Sequence, residues 1–168
     1  MKLADLNRMD QAAYVAALGA IFEHSPWVAE RSFGDRPFAS IGALHAAMVA
    51  AMGRALPSEQ LTLLQAHPEL VGDAAIHREL TADSMREQEG AALDQCSPSE
   101  FARLNDLNRR YQAKFGFPFI IAVKGKARQE ILAEFEARIG NGRGVEFETA
   151  CKQVERIALL RLKDMLPQ

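Results

Sequence analysis

The chain has 168 residues, of which 48% are hydrophobic and 25% charged, and its formal net charge is -2 at pH 7. This length and composition are typical of one globular domain with a substantial core, so we predict a single domain over residues 1–168. The charges of both signs are interspersed and form no basic stripe for nucleic acid and no polybasic membrane patch. We therefore expect a small-molecule or protein partner, and neither nucleic acid nor a membrane.

Helical periodicity dominates the chain, and strand alternation is nearly absent. The first helix is expected to present Ala13, Leu18, Ile21 and Phe22 to the core. Start and stop signals predict helices over about residues 10–22, 27–32, 40–54 and 57–67, from about 83 onward, and over about 97–116, 126–139 and 145–166. We predict an all-α fold, a single compact bundle of about seven to nine helices, some of them short.

The two cysteines, Cys96 and Cys151, lie far apart in sequence and form no CxxC pair. They are typical of reduced thiols in a cytosolic protein. No apolar stretch reaches the ~20 residues that a membrane span needs, and the N-terminus lacks the apolar core of a signal peptide. We therefore expect a cytoplasmic protein.

His67 ends a predicted helix and precedes Pro68. Because proline disfavours the helical region for the residue before it, His67 is expected in an extended conformation. Its imidazole, with an ordinary pKa of about 6.5, can donate or accept a proton near neutrality. The residues alone leave two alternatives open: a proton-transfer group, or a helix terminator whose ring bonds a carbonyl.

Ser84, Glu87 and Gln88 are spaced at i, i+3 and i+4, which places them on one face of a helix. This polar face is a candidate binding surface. Ser84 and Glu87 also fit a capping box, in which both side chains satisfy backbone donors at a helix start. The local sequence favours the cap, although a cap leaves Gln88 unexplained.

The segment after Gly116 and Pro118 is apolar and brings few polar side chains. Any specificity that residues 119–123 supply must come from backbone N–H and C=O groups, which need partners when they are buried. A flat ring edged with donors and acceptors is one such partner. The alternative is an extended segment that fills the core.

The other histidines are weaker candidates. His45 lies within a predicted helix, whereas His24 and His77 lie near loops. None forms an HExxH motif or a tight cluster with other ligands, so we expect no metal site. The glycines between residues 140 and 144 follow a helix and do not join a strand to one, which argues against a dinucleotide cofactor.

Four segments taken together resemble the 2-oxo-4-hydroxy-4-carboxy-5-ureidoimidazoline (OHCU) decarboxylases of urate breakdown. They are Ser25-Pro26-Trp27-Val28-Ala29-Glu30-Arg31, Gln65 to Gly72 around His67-Pro68, Ser84 to Gln88, and Phe115 to Gly125. The resemblance covers essentially the whole chain. The family more often has aspartate and alanine where this chain has Glu69 and Val71, and Glu69 keeps the charge.

The resemblance implies decarboxylation of the ureidoimidazoline to (S)-allantoin. It implies no cofactor, because a ring C=N bond of the substrate can accept the electrons released with carbon dioxide. It also implies a proton-transfer role for His67, with Glu87 orienting His67 or binding substrate. The substrate-binding residues implied are Pro68, Ser84, Met85, Arg86, Glu87, Gln88, Phe119, Ile120, Ile121, Ala122 and Val123.

Two further expectations accompany this interpretation. The three site segments should line one pocket, since each has polar capacity that its local structure does not clearly use. The final helix is apolar around much of its circumference, and together with the resemblance this favours a homodimer. The alternatives of other classes are a non-catalytic helical interaction domain and a hydrolase of a related ureide.

Overall fold

The computed structural model describes residues 1–71, 82–90, 93 and 96–167. Across these ranges the chain forms nine α-helices and no strand, which confirms the all-α prediction. The helices are α1 Leu3–Leu6, α2 Gln11–Leu18, α3 Trp27–Ser32, α4 Ile41–Gly53, α5 Pro57–Gln65, α6 Ala82–Gly90, α7 Pro98–Phe115, α8 Arg128–Arg138 and α9 Arg143–Met165. A 3₁₀ turn, Phe33–Asp35, follows α3. Gly72 and His77 lie outside the described residues. None of the described helices is long and apolar enough to cross a membrane.

Side-chain caps begin several of these helices where the sequence predicts them. The Ser40 hydroxyl accepts a hydrogen bond of 3.0 Å from the Ala43 N–H at the start of α4. Ser97 and Glu100 form a capping box at the start of α7, which satisfies backbone donors that the helix itself leaves open. Gly116 ends α7 in the left-handed conformation, with φ +79°, which glycine adopts without steric cost.

The first long helix is shorter than its periodicity predicts. Helix α2 ends at Leu18, and a Cβ at Gly19 would lie 2.6 Å from the Val15 carbonyl oxygen, so only glycine fits there. With this boundary Tyr14 and Leu18 form the buried face, whereas Ala13 is exposed. The prediction for Ala13 is therefore wrong, whereas Leu18, Ile21 and Phe22 are buried as expected. The short helix α1 was not predicted.

The chain packs as two compact units. The first comprises residues 1–66 together with the chain from Glu155 onward. Its interior contains an ion pair, in which the Arg161 guanidinium lies 3.0 Å from the Glu23 carboxylate. His45 of α4 lies 2.7 Å from the Glu155 carbonyl oxygen, which agrees with a packed helix residue.

The second unit comprises residues 67–154 and contains every residue that the resemblance assigns to the site. Its aromatic core surrounds Tyr111 of α7. The Tyr111 ring meets Phe117, Phe119 and Phe135 nearly edge-on, with centroids 5.5 to 5.8 Å apart. The Phe119 and Phe135 rings are stacked at 3.9 Å. Helices α7 and α8 thus enclose the start of the 119–123 segment.

We predict that Gly116→Ala lowers the free energy of unfolding by about 1 kcal/mol. The left-handed conformation costs an alanine roughly 1–2 kcal/mol, partly offset by the reduced entropy of the unfolded chain. Among the described residues no atom beyond the two chain neighbours lies within 4 Å of the added Cβ, so steric overlap does not contribute.

The matched control is Gly53→Ala, at the last residue of α4, where space is equally open and φ is not positive. This variant should be neutral or slightly stabilising. Urea unfolding of both variants provides the measurement, and equal effects would show that backbone strain at Gly116 is not the cause.

Candidate active site

His67 begins the second unit in a short loop, residues 67–71, which we call the histidine loop. Helix α5 ends at Gln65 and Ala66 is its C-cap, so the helix stops just before the His67-Pro68 pair, as the proline predicts. The histidine is buried, with 7% of its surface exposed. At the other end of the loop Val71 has φ +52°, an uncommon conformation for a β-branched residue. Such a backbone must be held by its surroundings.

The Gln88 side chain of α6 holds the histidine loop through both ends of its amide. Its Oε1 accepts a hydrogen bond of 3.2 Å from the Val71 N–H, and its Nε2 donates to the Glu69 carbonyl oxygen at 3.4 Å. These bonds bring the first two predicted site segments together. In the part of the chain that the structure describes, these two bonds leave one amide N–H and further acceptor capacity of Gln88 unused.

Burial along α6 follows the predicted face. Ser84 is 5% exposed, and Glu87 and Gln88 are half-buried, whereas Met85 and Arg86 lie on the exposed face. The Arg86 guanidinium pairs there with Asp83. Helix α6 begins at Ala82, two residues before Ser84, so Ser84 does not occupy the N-cap and the capping-box alternative is wrong. The polar face therefore remains the candidate binding surface, but Met85 and Arg86 do not share it.

Asn108 of α7 is a second support of the histidine loop, and the sequence analysis missed it. Its Nδ2 donates a hydrogen bond of 2.9 Å to the Leu70 carbonyl oxygen. The residue is 3% exposed, and within the described ranges its Oδ1 has no hydrogen-bond partner. A polar residue between Leu107 and Tyr111, on the apolar face of an amphipathic helix, was the available signal.

The same face of α7 links the histidine loop to the 119–123 segment. Tyr111 follows Asn108 by three residues, which places the two side chains on neighbouring turns. The Tyr111 ring contacts Phe119 at 5.5 Å between centroids. One helix therefore contacts the histidine loop through Asn108 and the 119–123 segment through Tyr111.

The 119–123 segment is buried, with each residue between 1% and 6% exposed. The Ile120 carbonyl accepts a hydrogen bond of 2.7 Å from Arg138, and the Ala122 N–H donates one of 2.9 Å to Gln153 Oε1. In a trans peptide the C=O and N–H point in opposite directions. The N–H and C=O of Ile121 are therefore directed away from Arg138 and Gln153, and neither has a hydrogen-bond partner among the described residues. One donor and one acceptor of a buried residue are thus available to a ligand.

A metal centre and a separate cavity are the two alternatives to this site that we considered. Among the described residues no group of three or more His, Cys, Asp or Glu side chains is arranged to hold a metal ion. A cavity of about 550 Å³ lies in the first unit and is lined by Ser40, Ile41, Gly42, Leu159, Lys163 and Leu166. None of the predicted site residues lines it, so it is not the site that the sequence indicates.

The chain is similar to known proteins over almost its whole length. A family model described as OHCU decarboxylase matches residues 7–163. The chain is 43% identical over 164 residues to the 2-oxo-4-hydroxy-4-carboxy-5-ureidoimidazoline decarboxylase of Haloferax volcanii, covering 98% of this chain and 95% of that protein. It is 41% identical over 165 residues to the protein of the same name from Halalkalicoccus jeotgali, covering 98% and 92%.

Solved structures show the same fold. A crystal structure of (S)-allantoin synthase superposes with a TM-score of 0.77 at 30% identity; the match covers 99% of this chain and 54% of that one, so this chain spans about half its length. A crystal structure of OHCU decarboxylase in the presence of (S)-allantoin gives a TM-score of 0.71 at 20% identity, covering 95% and 100%. The second similarity supports the fold alone.

We predict that Asn108→Leu loosens the histidine loop. The substitution leaves the buried Leu70 carbonyl without its donor, at a cost of about 1–3 kcal/mol. Hydrogen–deuterium exchange should therefore become faster in the peptide that covers residues 67–71.

Asn105→Leu, one turn earlier on α7 and half-buried, is the matched control and should leave exchange of this peptide unchanged. Equal protection of the loop in wild type and Asn108→Leu would contradict the supporting role of Asn108.

Proposed function

The chain belongs to the OHCU decarboxylase family, and we propose that it converts 2-oxo-4-hydroxy-4-carboxy-5-ureidoimidazoline to (S)-allantoin in urate degradation. As a carboxy-lyase it acts on a small molecule. The observation that carries the proposal is the near full-length similarity to relatives named for this activity. It is supported by the geometry of the second unit, where α6 and α7 hold the loop of a buried histidine.

The reaction requires no electrons from outside the substrate. The bond between the ring carbon and the carboxylate breaks, and its electron pair forms a double bond to the neighbouring ring carbon. The electrons of the C=N bond move to nitrogen, which takes up a proton. The hydroxyl proton is then lost and the neighbouring carbon gains one, which yields the ring carbonyl and the stereocentre of allantoin. The products are carbon dioxide and allantoin, and because the substrate supplies its own electron sink we propose that no metal or organic cofactor takes part.

We assign the proton transfers to His67. An imidazole can both accept the hydroxyl proton and donate one near neutral pH, and such help is typically worth about 10² to 10⁴ in rate. Glu87 lies on the same face of α6 as Gln88, whose amide holds the histidine loop. We propose that Glu87 orients His67 or binds a substrate N–H or hydroxyl, with Ser84 and Gln88 bonding the ring.

Recognition of the ring is proposed to occur at the backbone of Ile121. The ring of the substrate contains adjacent N–H and C=O groups, which complement one backbone acceptor and one backbone donor. The surrounding side chains of residues 119–123 are apolar and buried, so water competes little for these bonds. The same apolar surroundings disfavour a charged carboxylate more than neutral carbon dioxide, which favours its loss. Pro68 is proposed to contact the ring from the histidine loop.

We also propose that residues 1–168 act as one domain in the cytoplasm and that two copies form a homodimer. Cys96 and Cys151 lie far apart in sequence and form no CxxC pair, a pattern typical of a reducing compartment. On α9 Ile157, Ala158 and Leu162 are buried, whereas Leu159 and Leu160 are only half-buried. These two leucines are the surface on which the dimer proposal rests.

We expect a dimer in sedimentation velocity at micromolar concentration. Leu160→Glu should shift the protein toward the monomer mass of 18.5 kDa, because a charge at an apolar interface is costly to bury. A wild-type protein that remains at the monomer mass over the whole concentration range would refute the dimer and leave the catalytic proposal untouched.

We predict that the wild-type protein releases carbon dioxide from freshly generated substrate and yields optically active allantoin, also after dialysis against a chelator. His67→Asn keeps a hydrogen-bonding side chain but cannot titrate, so it should lose about 10²-fold or more in turnover. Its melting temperature should stay close to that of wild type.

The matched control is His24→Asn, at an exposed histidine of the first unit, which should retain full activity. Ring or ureido cleavage without carbon dioxide would instead indicate a ureide hydrolase. No turnover above the spontaneous racemic decay would indicate a non-catalytic domain. Normal turnover by His67→Asn would show that the imidazole is dispensable.

A further inference from the structure

The 119–123 segment has no helical or strand structure of its own, yet two side chains hold it at three points. Arg138 donates to the Ile120 carbonyl at 2.7 Å, and its guanidinium lies 4.3 Å from the centroid of the Phe119 ring. Gln153 accepts from the Ala122 N–H at 2.9 Å. Neither Arg138 nor Gln153 is among the residues that the family resemblance assigns to the site.

Arg138 is itself fixed by a buried carboxylate. Its Nε and Nη2 atoms lie 2.8 and 2.6 Å from Oε1 of Glu146, whose side chain is fully buried. The same Oε1 accepts a hydrogen bond of 2.6 Å from the Tyr111 hydroxyl, and Oε2 accepts one of 3.0 Å from Asn141. The guanidinium therefore has little freedom to turn away from Ile120.

Stability alone does not account for a charged pair at this place. Burying an ion pair costs desolvation that often equals or exceeds its electrostatic gain, and apolar replacements of similar volume are frequently as stable. What an apolar residue cannot supply is a directed donor. Arg138 supplies such a donor, because its guanidinium donates a charge-assisted hydrogen bond to the Ile120 carbonyl.

The two anchors fix the two peptide units that flank Ile121. Arg138 holds the carbonyl of the first unit, and Gln153 holds the N–H of the second. Because each unit is planar, these bonds determine where the N–H and the C=O of Ile121 point. We infer that Arg138 and Gln153 are positioning residues, which act through the 119–123 backbone to aim the Ile121 peptide groups at the ring of a cyclic ureide.

This inference rests on the proposed function and concerns substrate affinity. The Ile121 groups bind a part of the ring that is present in both substrate and product, so their alignment contributes to ground state and transition state alike. Loss of such uniform binding raises KM and leaves kcat nearly unchanged.

Gln153 provides the cleaner test, because it is half-buried and lies outside the ion pair. Gln153→Met keeps the length of the side chain but lacks a strong acceptor, so we expect KM to rise about 3- to 10-fold, the effect of one hydrogen bond. kcat should stay within about twofold. Gln153→Glu retains an acceptor oxygen and should restore KM to within about twofold of wild type.

Arg138→Lys tests the other anchor. Lysine keeps the charge beside Glu146 but lacks the planar fork that serves the carboxylate and the Ile120 carbonyl together. A higher KM is expected, with a lower melting temperature because the buried network is disturbed. If Arg138→Lys fails to fold, the KM of Gln153→Met still tests the inference.

Steady-state kinetics, melting temperatures and calorimetric titration with (S)-allantoin should be measured for wild type and the Gln153 variants. A raised KM and weaker allantoin binding in Gln153→Met, both rescued in Gln153→Glu, support the inference. Unchanged KM in Gln153→Met, with or without a lower melting temperature, overturns it while the proposed function stands. A wild-type protein without decarboxylation overturns the proposed function and the inference together.

Discussion

The carboxylate of Glu146 lies in the interior of the second unit and receives hydrogen bonds from three side chains. Each donor comes from a different part of the chain: Tyr111 from α7, Arg138 from α8, and Asn141 from the turn before α9. A buried charge is tolerated only when its acceptor capacity is used, so these parts must meet with fixed geometry. Burial and the nearby carboxylate both raise the pKa of Tyr111 above its usual value, so its hydroxyl keeps the proton that it donates. The backbone of the 119–123 segment takes its position from this network.

Side-chain amides and one guanidinium support both irregular segments of the candidate site. Gln88 and Asn108 bond the backbone of the histidine loop, and Gln153 and Arg138 bond the 119–123 backbone. Irregular backbone lacks the regular backbone–backbone hydrogen bonds of a helix or sheet, so its buried N–H and C=O groups need other partners, here side chains. The anchors lie on regular helices, which hold them more rigidly than loops would. At Ile121 the bonds to protein are absent within the described residues, and that is the position where a ligand can complete them.

Local signals predicted most helix boundaries. Ser40 and Gly116 act where the sequence places them, because caps depend on residues within one turn. The end of α2 was missed because periodicity continues past Gly19, where a close approach to Val15 permits only glycine. Motif resemblance supplied the candidate site segments, but burial separates Ser84, Glu87 and Gln88 from the exposed Met85 and Arg86.

The partners of the anchoring residues lay beyond sequence analysis for a different reason. Asn108 lies 38 positions from its partner in the chain, Gln153 lies 31 from Ala122, and Arg138 lies 18 from Ile120. A polar residue on the apolar face of a helix, such as Asn108, indicates that its side chain needs a partner, but only the fold reveals which carbonyl or N–H it meets. Long-range pairing of this kind leaves no periodic signal.

The Arg138–Glu146 pair also limits how this protein can diverge. Removal of either partner leaves an uncompensated buried charge, which typically costs about 3–5 kcal/mol, whereas the whole net stability of a domain is about 5–15 kcal/mol. Single substitutions that remove either charge would be eliminated for loss of the folded state, whether or not they affect turnover. The charges at positions 138 and 146 should therefore be lost only as a pair, so selection for folding alone makes loss of the side chain that holds the Ile120 carbonyl rare, without acting on the chemistry.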